Sequence, residues 1–130
     1  SLSLTEGLPK VMADDNQLRQ VLLNLIRNAS EAMADKPPAE RTLAITTRLV
    51  VNSQTSARTV AVDIIDNGPG IPSDRHRQIF EPFFTTKKGG TGLGLALSLE
   101  VISRHGGKIL LESPQKGGEG TKFTVELPAT

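Results

Sequence analysis

The sequence predicts an α/β (α+β) two-layer sandwich, in which a mixed, mostly antiparallel sheet of about five strands carries its helices on one face. Two apolar patterns have the spacing of amphipathic helices, and two pairs of segments alternate in the manner of strand hairpins. The chain has 130 residues, and residues 1–130 are predicted to form one domain. Its abrupt start suggests a domain taken from a longer protein.

The first helix is predicted from about Asp15 to about Asp35. Asp14-Asp15-Asn16 are residues of the types that cap helix N-termini, and Lys36-Pro37-Pro38 ends the helix. The second helix is predicted to begin near Leu93 and to end at His105-Gly106-Gly107, because glycine stops helices. The apolar positions of the first helix recur at helical spacing: Leu18, Val21, Leu22, Leu25, Ile26, Ala29, Ala32 and Met33.

A short strand is predicted at Lys10-Val11-Met12-Ala13, and a short helix is predicted from Ser73 to Ile79. Two antiparallel hairpins are predicted from β-branched, alternating segments. They pair Thr42 to Val51 with Thr59 to Asp66, and Lys108 to Ser113 with Thr121 to Leu127.

The pleat of these strands places two polar residues at the edge of the interior. Residues two apart share a face, so two rows should face the helices: Val60, Val62, Ile64 and Asp66, and Thr121, Phe123, Val125 and Leu127. Asp66 and Thr121 end these rows, where an unpaired carboxylate is costly. We therefore expect Asp66 to bind a hydrogen-bond donor, such as an adenine amino group.

Two glycine-rich turns favour an anionic ligand. They read Asp66-Asn67-Gly68-Pro69-Gly70-Ile71 and Gly90-Thr91-Gly92-Leu93-Gly94-Leu95. Glycine lets the backbone N–H groups approach phosphate oxygens, and the second turn leads into a helix N-terminus. Nucleotide binding is the first hypothesis.

Asn24 and Asn28 interrupt the apolar pattern of the first helix, and their spacing of four places both amides on one face. Neutral amide oxygens can bind Mg²⁺ together with water and substrate phosphates. The alternative is a structural role in capping a neighbouring backbone.

Bulk composition excludes several function classes. The net charge is +1, so there is no electrostatic case for nucleic acid or for direct membrane contact. Cysteine is absent, which excludes disulfides and thiolate metal sites. No apolar run approaches the roughly 18 residues that span a bilayer, so we expect a soluble, cytoplasmic domain, with or without a membrane anchor elsewhere in the parent protein.

Together these motifs resemble the ATP-binding catalytic domain of sensor histidine kinases, in the superfamily shared with gyrase, the heat-shock chaperone of the 90-kilodalton class and the mismatch-repair ATPases. Two motifs, Asn28-Ala29-Ser30-Glu31-Ala32 and Phe84-Thr85-Thr86-Lys87, look like those of the nitrogen-regulation and oxygen-sensing kinases. The motifs occur in the family's order: Asn24 to Ala29 (N box), Asp66 to Gly70 (first glycine box), Glu81-Pro82-Phe83-Phe84 (F box), Gly90 to Leu95 (second glycine box) and Gly118 to Thr121 (last glycine box).

The resemblance implies a Bergerat-type fold with ATP and Mg²⁺ as cofactors. Asp66 would accept from the adenine amino group, Asn28 would bind the metal, and residues 72–90 would form a mobile lid that carries Lys87. The implied ATP-binding set is Asn24, Asn28, Asp66, Gly68, Gly70, Ile71, Lys87, Thr91, Gly92, Leu93, Gly94, Leu95 and Thr121. One departure is that Glu31-Ala32 stands where many members have a lysine, so Arg27 or Lys87 must supply that charge.

No catalytic residue is expected within the chain. The superfamily's hydrolases carry a glutamate where this chain has Asn24, so hydrolysis should be poor. The implied partners are the dimerisation hairpin that carries the acceptor histidine, and a response-regulator receiver domain. Two alternatives remain: an anti-sigma-type serine kinase, which a phosphorylated serine substrate would reveal, and a non-catalytic nucleotide-sensing module, which would bind ATP without transfer.

Overall fold

The structure is a computed structural model that describes residues 2–3, 7–8, 11, 13–81, 94–114 and 119–129. Short 3₁₀ turns at Pro38–Glu40, Ser73–Arg75 and Gln78–Phe80 accompany the main elements. In chain order these are β1 (Leu2–Ser3), α1 (Asp15–Ala32), β2 (Leu43–Val51), β3 (Arg58–Asp66), α2 (Gly94–Arg104), β4 (Lys108–Glu112) and β5 (Thr121–Pro128). None of the helices in these ranges is long and apolar enough to cross a membrane.

The sheet has the order β1-β2-β3-β5-β4, and all its neighbours are antiparallel except β1 and β2. The predicted mixed, mostly antiparallel sheet is thus confirmed. Its fifth strand is misplaced in the prediction, because the edge position is taken by Leu2–Ser3. At the predicted strand Lys10-Val11-Met12-Ala13, the described part shows one isolated bridge, between Val11 and Ala129. Lys10 and Met12 lie outside the described residues.

Helix α1 is held by its cap and by one apolar stripe. The Asp14 carboxylate accepts a hydrogen bond from the Gln17 backbone N–H at 2.9 Å, which satisfies one of the donors that a helix start leaves unpaired. Val21, Leu25 and Ala29 recur every fourth residue and are buried against the sheet. The helix ends at Ala32, three residues earlier than predicted, and residues 33–35 form turns.

The helices cover one face of the sheet, as predicted. Ile64 of β3 and three residues of β5 belong to the buried core, namely Phe123, Val125 and Leu127. Val60 and Val62 share that face but are only half-buried. The rings of Phe80 and Phe123 meet edge-on with centroids 6.3 Å apart, which anchors the turn at Gln78–Phe80 over the core. The predicted helix from Ser73 to Ile79 is wrong, because two 3₁₀ turns occupy that segment.

Candidate functional site

Asp66 ends the central strand β3 and is 5% exposed. Its register partner on β5 is Thr121, so two polar residues lie side by side at one end of the sheet. The carboxylate accepts a 2.8 Å hydrogen bond from the Gly68 backbone N–H and another from the backbone N–H of Thr121. Burial nevertheless raises the pKa of the Asp66 carboxyl above its ordinary value. The position therefore holds a desolvated acceptor that a further donor would stabilise.

The glycines that follow Asp66 fit tightly among protein atoms. A Cβ at Gly68 would lie 2.9 Å from the Ala32 carbonyl oxygen, so the turn abuts the C-terminal end of α1. Gly70 has φ +85°, and a Cβ there would lie 3.2 Å from the Ser113 hydroxyl. This packing accounts for glycine at both positions and joins the turn to α1 and to the end of β4.

A residue that the sequence reasoning missed, Ser113, connects the three segments at the end of the sheet. Its hydroxyl accepts from the Ile71 backbone N–H at 2.7 Å and donates to the Gly120 carbonyl at 3.0 Å. It also lies 2.9 Å from the Thr121 hydroxyl. A signal for Ser113 was present, because it continues the core-facing row of Ile109 and Leu111 in the way that Asp66 and Thr121 end theirs.

Helices α1 and α2 pack antiparallel, and two polar contacts set how they align. The Asn24 side-chain amide donates to the Ser98 hydroxyl at 3.4 Å. At the other end, His105 Nε2 accepts from the Asp14 backbone N–H at 3.1 Å. One turn beyond Asn24, α1 reaches Asn28, and one turn before Ser98, α2 reaches its first residue, Gly94. The metal-ligand candidate Asn28 is therefore level with the N-terminus of α2.

The surroundings of the remaining candidates differ. The side chains of Ile71 and Leu95 pack against the hydrophobic core. At Gly94 a Cβ would meet no described atom within 4 Å, unlike the Cβ positions at Gly68 and Gly70. Four candidates lie outside the described residues: Lys87, Thr91, Gly92 and Leu93. The same is true of residues 82–90 of the predicted lid, and of the two candidates for the missing basic contact the structure describes only Arg27, which is exposed.

A second buried carboxylate, Asp63, lies on the opposite face of β3 and is 4% exposed. Arg48 donates to it twice, at 2.7 and 3.2 Å, and the Thr46 and Thr124 hydroxyls donate at 3.1 and 2.6 Å. Burial alone would raise the pKa of Asp63, but these hydrogen bonds together lower it. Asp63 is thus saturated by protein donors, whereas the pKa of Asp66 is raised.

The donor set near α1 suits Mg²⁺ better than a transition metal. In the part of the chain that the structure describes, no group of three or more His, Cys, Asp or Glu could hold a metal ion. Asn24 and Asn28 are half-buried amides, and Mg²⁺ accepts such oxygens when waters and phosphates complete its shell. A metal held there would depend on a phosphate ligand.

Comparison with known proteins identifies a family and several related proteins. Residues 13–130 match the family described as histidine kinase-, DNA gyrase B- and HSP90-like ATPase. The sensory histidine kinase/phosphatase NtrB of Rhizobium leguminosarum bv. phaseoli is 39% identical over 98% of this chain and 34% of its own length. The sensor protein FixL of Bradyrhizobium diazoefficiens is 41% identical over 98% of this chain and 23% of its own length. The chain thus spans about a third or less of these relatives.

The solved catalytic domain of histidine kinase ThkA superimposes with a TM-score of 0.78 and 36% identity, covering 99% of this chain and 77% of that one. The family match extends over both helices and over four of the five strands, and the likeness to ThkA extends over almost the whole chain. The chain therefore belongs to the histidine kinase-, DNA gyrase B- and HSP90-like ATPase family, as a histidine kinase catalytic domain.

Proposed function

We propose that this domain binds Mg-ATP and positions the γ-phosphate for transfer to a histidine on a separate dimerisation hairpin of a two-component sensor kinase. The observation that carries the proposal is the buried Asp66 carboxylate, whose pKa burial raises. An adenine amino group would supply the donor that this carboxylate lacks, and the charge-assisted bond would be strong because water is excluded. Thr121 lies beside it as a second acceptor.

The phosphates are proposed to lie between the C-terminal half of α1 and the N-terminus of α2. The antiparallel packing brings Asn28 level with Gly94, where a helix start favours negative charge. No described atom lies within 4 Å of the position that a Cβ at Gly94 would take. Gly92, Leu93 and Thr91, which precede it in the sequence, are proposed to contact the phosphates as well.

Asn28 is proposed to hold Mg²⁺, with Asn24 supporting the phosphate region. Bound Mg²⁺ would neutralise charge on the transferred phosphoryl group. The Ser98 hydroxyl accepts from the Asn24 amide nitrogen, which leaves the Asn24 amide oxygen as the group available to a metal-bound water. Arg27 and Lys87 are the candidates for the remaining positive charge.

Transfer requires groups that this chain does not supply. Position 24 is an amide, which cannot act as the general base that activates water for hydrolysis. Both histidines are tied to the backbone: His76 Nε2 lies 2.9 Å from the Ile71 carbonyl oxygen, and His105 Nδ1 lies 2.7 Å from that of Val101. We therefore propose that the acceptor is a histidine outside this chain, that a receiver domain takes the phosphoryl group next, and that both act in the cytoplasm, where ATP is available.

The test is binding followed by transfer. Calorimetry should detect Mg-ATP binding to the chain, with weaker binding when EDTA removes the metal. Transfer of radiolabel to an added hairpin should then appear on histidine. Labelling of a serine substrate instead would favour an anti-sigma-type kinase, and binding without transfer to any supplied acceptor would favour a nucleotide sensor.

A further inference from the structure

The hydroxyl of Ser113 uses its whole hydrogen-bonding capacity within the protein. It has three partners: the Ile71 N–H at 2.7 Å, the Gly120 carbonyl oxygen at 3.0 Å and the Thr121 hydroxyl at 2.9 Å. A serine hydroxyl has one proton to donate and two lone pairs that accept. The three contacts therefore determine where each proton lies.

The backbone partners leave only one consistent assignment. The Ile71 N–H can only donate, and the Gly120 carbonyl can only accept. The Ser113 proton thus goes to Gly120, since any other direction would leave a buried carbonyl oxygen without this donor. Thr121 must then give its own proton to Ser113, and its remaining lone pairs can only accept.

This assignment fixes which hydrogen-bonding groups the protein presents to the purine base. Asp66 is an acceptor as a carboxylate, and the Thr121 hydroxyl beside it is held as an acceptor by Ser113. A purine with an amino group at C6 presents a donor to these two acceptors. A 6-oxopurine presents an acceptor at C6 instead and carries its donor at N1, so the C6 substituent is where the two bases differ toward Thr121. We propose that Ser113 is a positioning residue that sets the selectivity for a 6-aminopurine by fixing the proton of Thr121. This proposal rests on the nucleotide binding proposed above.

The probe is the ratio of the dissociation constants for Mg-ITP and Mg-ATP, measured by calorimetry. The two nucleotides share their phosphates and ribose, so the ratio reports on the base alone. In Ser113→Ala the Thr121 hydroxyl is free to turn its proton toward a 6-oxo group. We expect the ITP/ATP ratio to fall about tenfold, which corresponds to about 1.4 kcal/mol.

A purely structural role for Ser113 predicts a different result. Loss of its bonds to Ile71 and Gly120 would loosen the site and weaken the binding of both nucleotides equally. The ratio of their dissociation constants would then stay unchanged within about twofold. That outcome would overturn the inference. Thr124→Val is the matched control, because Thr124 is a buried hydroxyl of the same strand on the opposite face, bonded to Asp63 at 2.6 Å. It should cost stability and leave the ratio unchanged.

A second variant covers the case in which Ser113→Ala does not fold. Thr121→Val removes the oriented hydroxyl and leaves the bonds of Ser113 to Ile71 and Gly120 in place. It should lower the ITP/ATP ratio by about the same factor. An unchanged ratio in folded Thr121→Val would also refute the inference. If the wild-type chain bound neither nucleotide, the proposed function itself would be refuted.

Discussion

The substitution Asp66→Asn should weaken ATP binding while leaving the fold intact. An asparagine keeps the shape of the side chain but loses the charge-assisted bond to adenine, worth about 1.5 to 3 kcal/mol. If its amide nitrogen faces the adenine amino group, two donors oppose each other, which adds about 1 to 3 kcal/mol. The total of about 2.5 to 6 kcal/mol predicts that the affinity for Mg-ATP falls by roughly two to four orders of magnitude.

Asp63→Asn is the matched control, because Asp63 is also a buried aspartate of β3 but faces the opposite side of the sheet. It loses the ion pair with Arg48, which is 46% exposed and is partly solvated without it. We expect a loss of about 1 to 3 kcal/mol in the free energy of unfolding, with ATP affinity unchanged. Calorimetry measures the affinity of each variant, and denaturant unfolding measures its stability.

The two variants should also differ in the sign of their pH dependence. The raised pKa of Asp66 means that the folded protein binds its proton more readily than the unfolded chain, so this group lowers stability as pH rises above the ordinary value of 3.8. The lowered pKa of Asp63 contributes stability that is present above 3.8 and is lost as pH falls through the folded pKa.

As pH rises from acid to neutral, the stability of Asp66→Asn relative to wild type should therefore increase. The stability of Asp63→Asn relative to wild type should decrease over the same range. Near-unchanged ATP affinity in folded Asp66→Asn would refute the adenine assignment. Equal loss of affinity in both variants would show that burial of charge in β3, rather than contact with the base, controls binding.

Three further predictions concern the helices and the lid. Residues 72–81, the described part of the predicted lid, should gain hydrogen-exchange protection on addition of Mg-ATP, and equal strong protection in both states would contradict a mobile lid. Ser98→Ala removes a long 3.4 Å contact to Asn24, so calorimetry should show ATP affinity falling no more than about fivefold, and a hundredfold loss would give Ser98 a larger role. His105→Ala removes the bond that ties α2 to the start of α1 and should lower unfolding free energy by about 1 to 2 kcal/mol in denaturant titrations; unchanged stability would show that the bond is not needed.

Much of the fold was predictable because its periodic elements are strongly patterned. The apolar stripe of α1 and the alternation in β3 and β5 locate these elements and their inward faces. Asp66 was found by the same parity, since it ends a core-facing row. Ser113 follows the core-facing positions Ile109 and Leu111 of β4, so the same parity also locates it.

Other features depend on contacts that periodicity does not contain. The pairing of Asp63 with Arg48 joins residues whose proximity follows only from the strand register. A two-residue strand such as Leu2–Ser3 is too short to show alternation. The 3₁₀ turns that replace the helix at Ser73 to Ile79 fit the tertiary contacts made there, with the His76 ring bonded to the Ile71 carbonyl and Phe80 against Phe123.

We propose that this chain binds Mg-ATP and passes the γ-phosphate to a histidine outside itself. The most direct measurement is a transfer assay with radiolabelled ATP on the chain alone, the chain with a cognate histidine hairpin, and Asn28→Ala with that hairpin. We predict no label on the chain alone, weak labelling of the hairpin because docking in trans lacks a tether, and loss of that labelling in Asn28→Ala. Label on His76 or His105 of the chain alone would contradict the proposal that the acceptor histidine lies outside this chain.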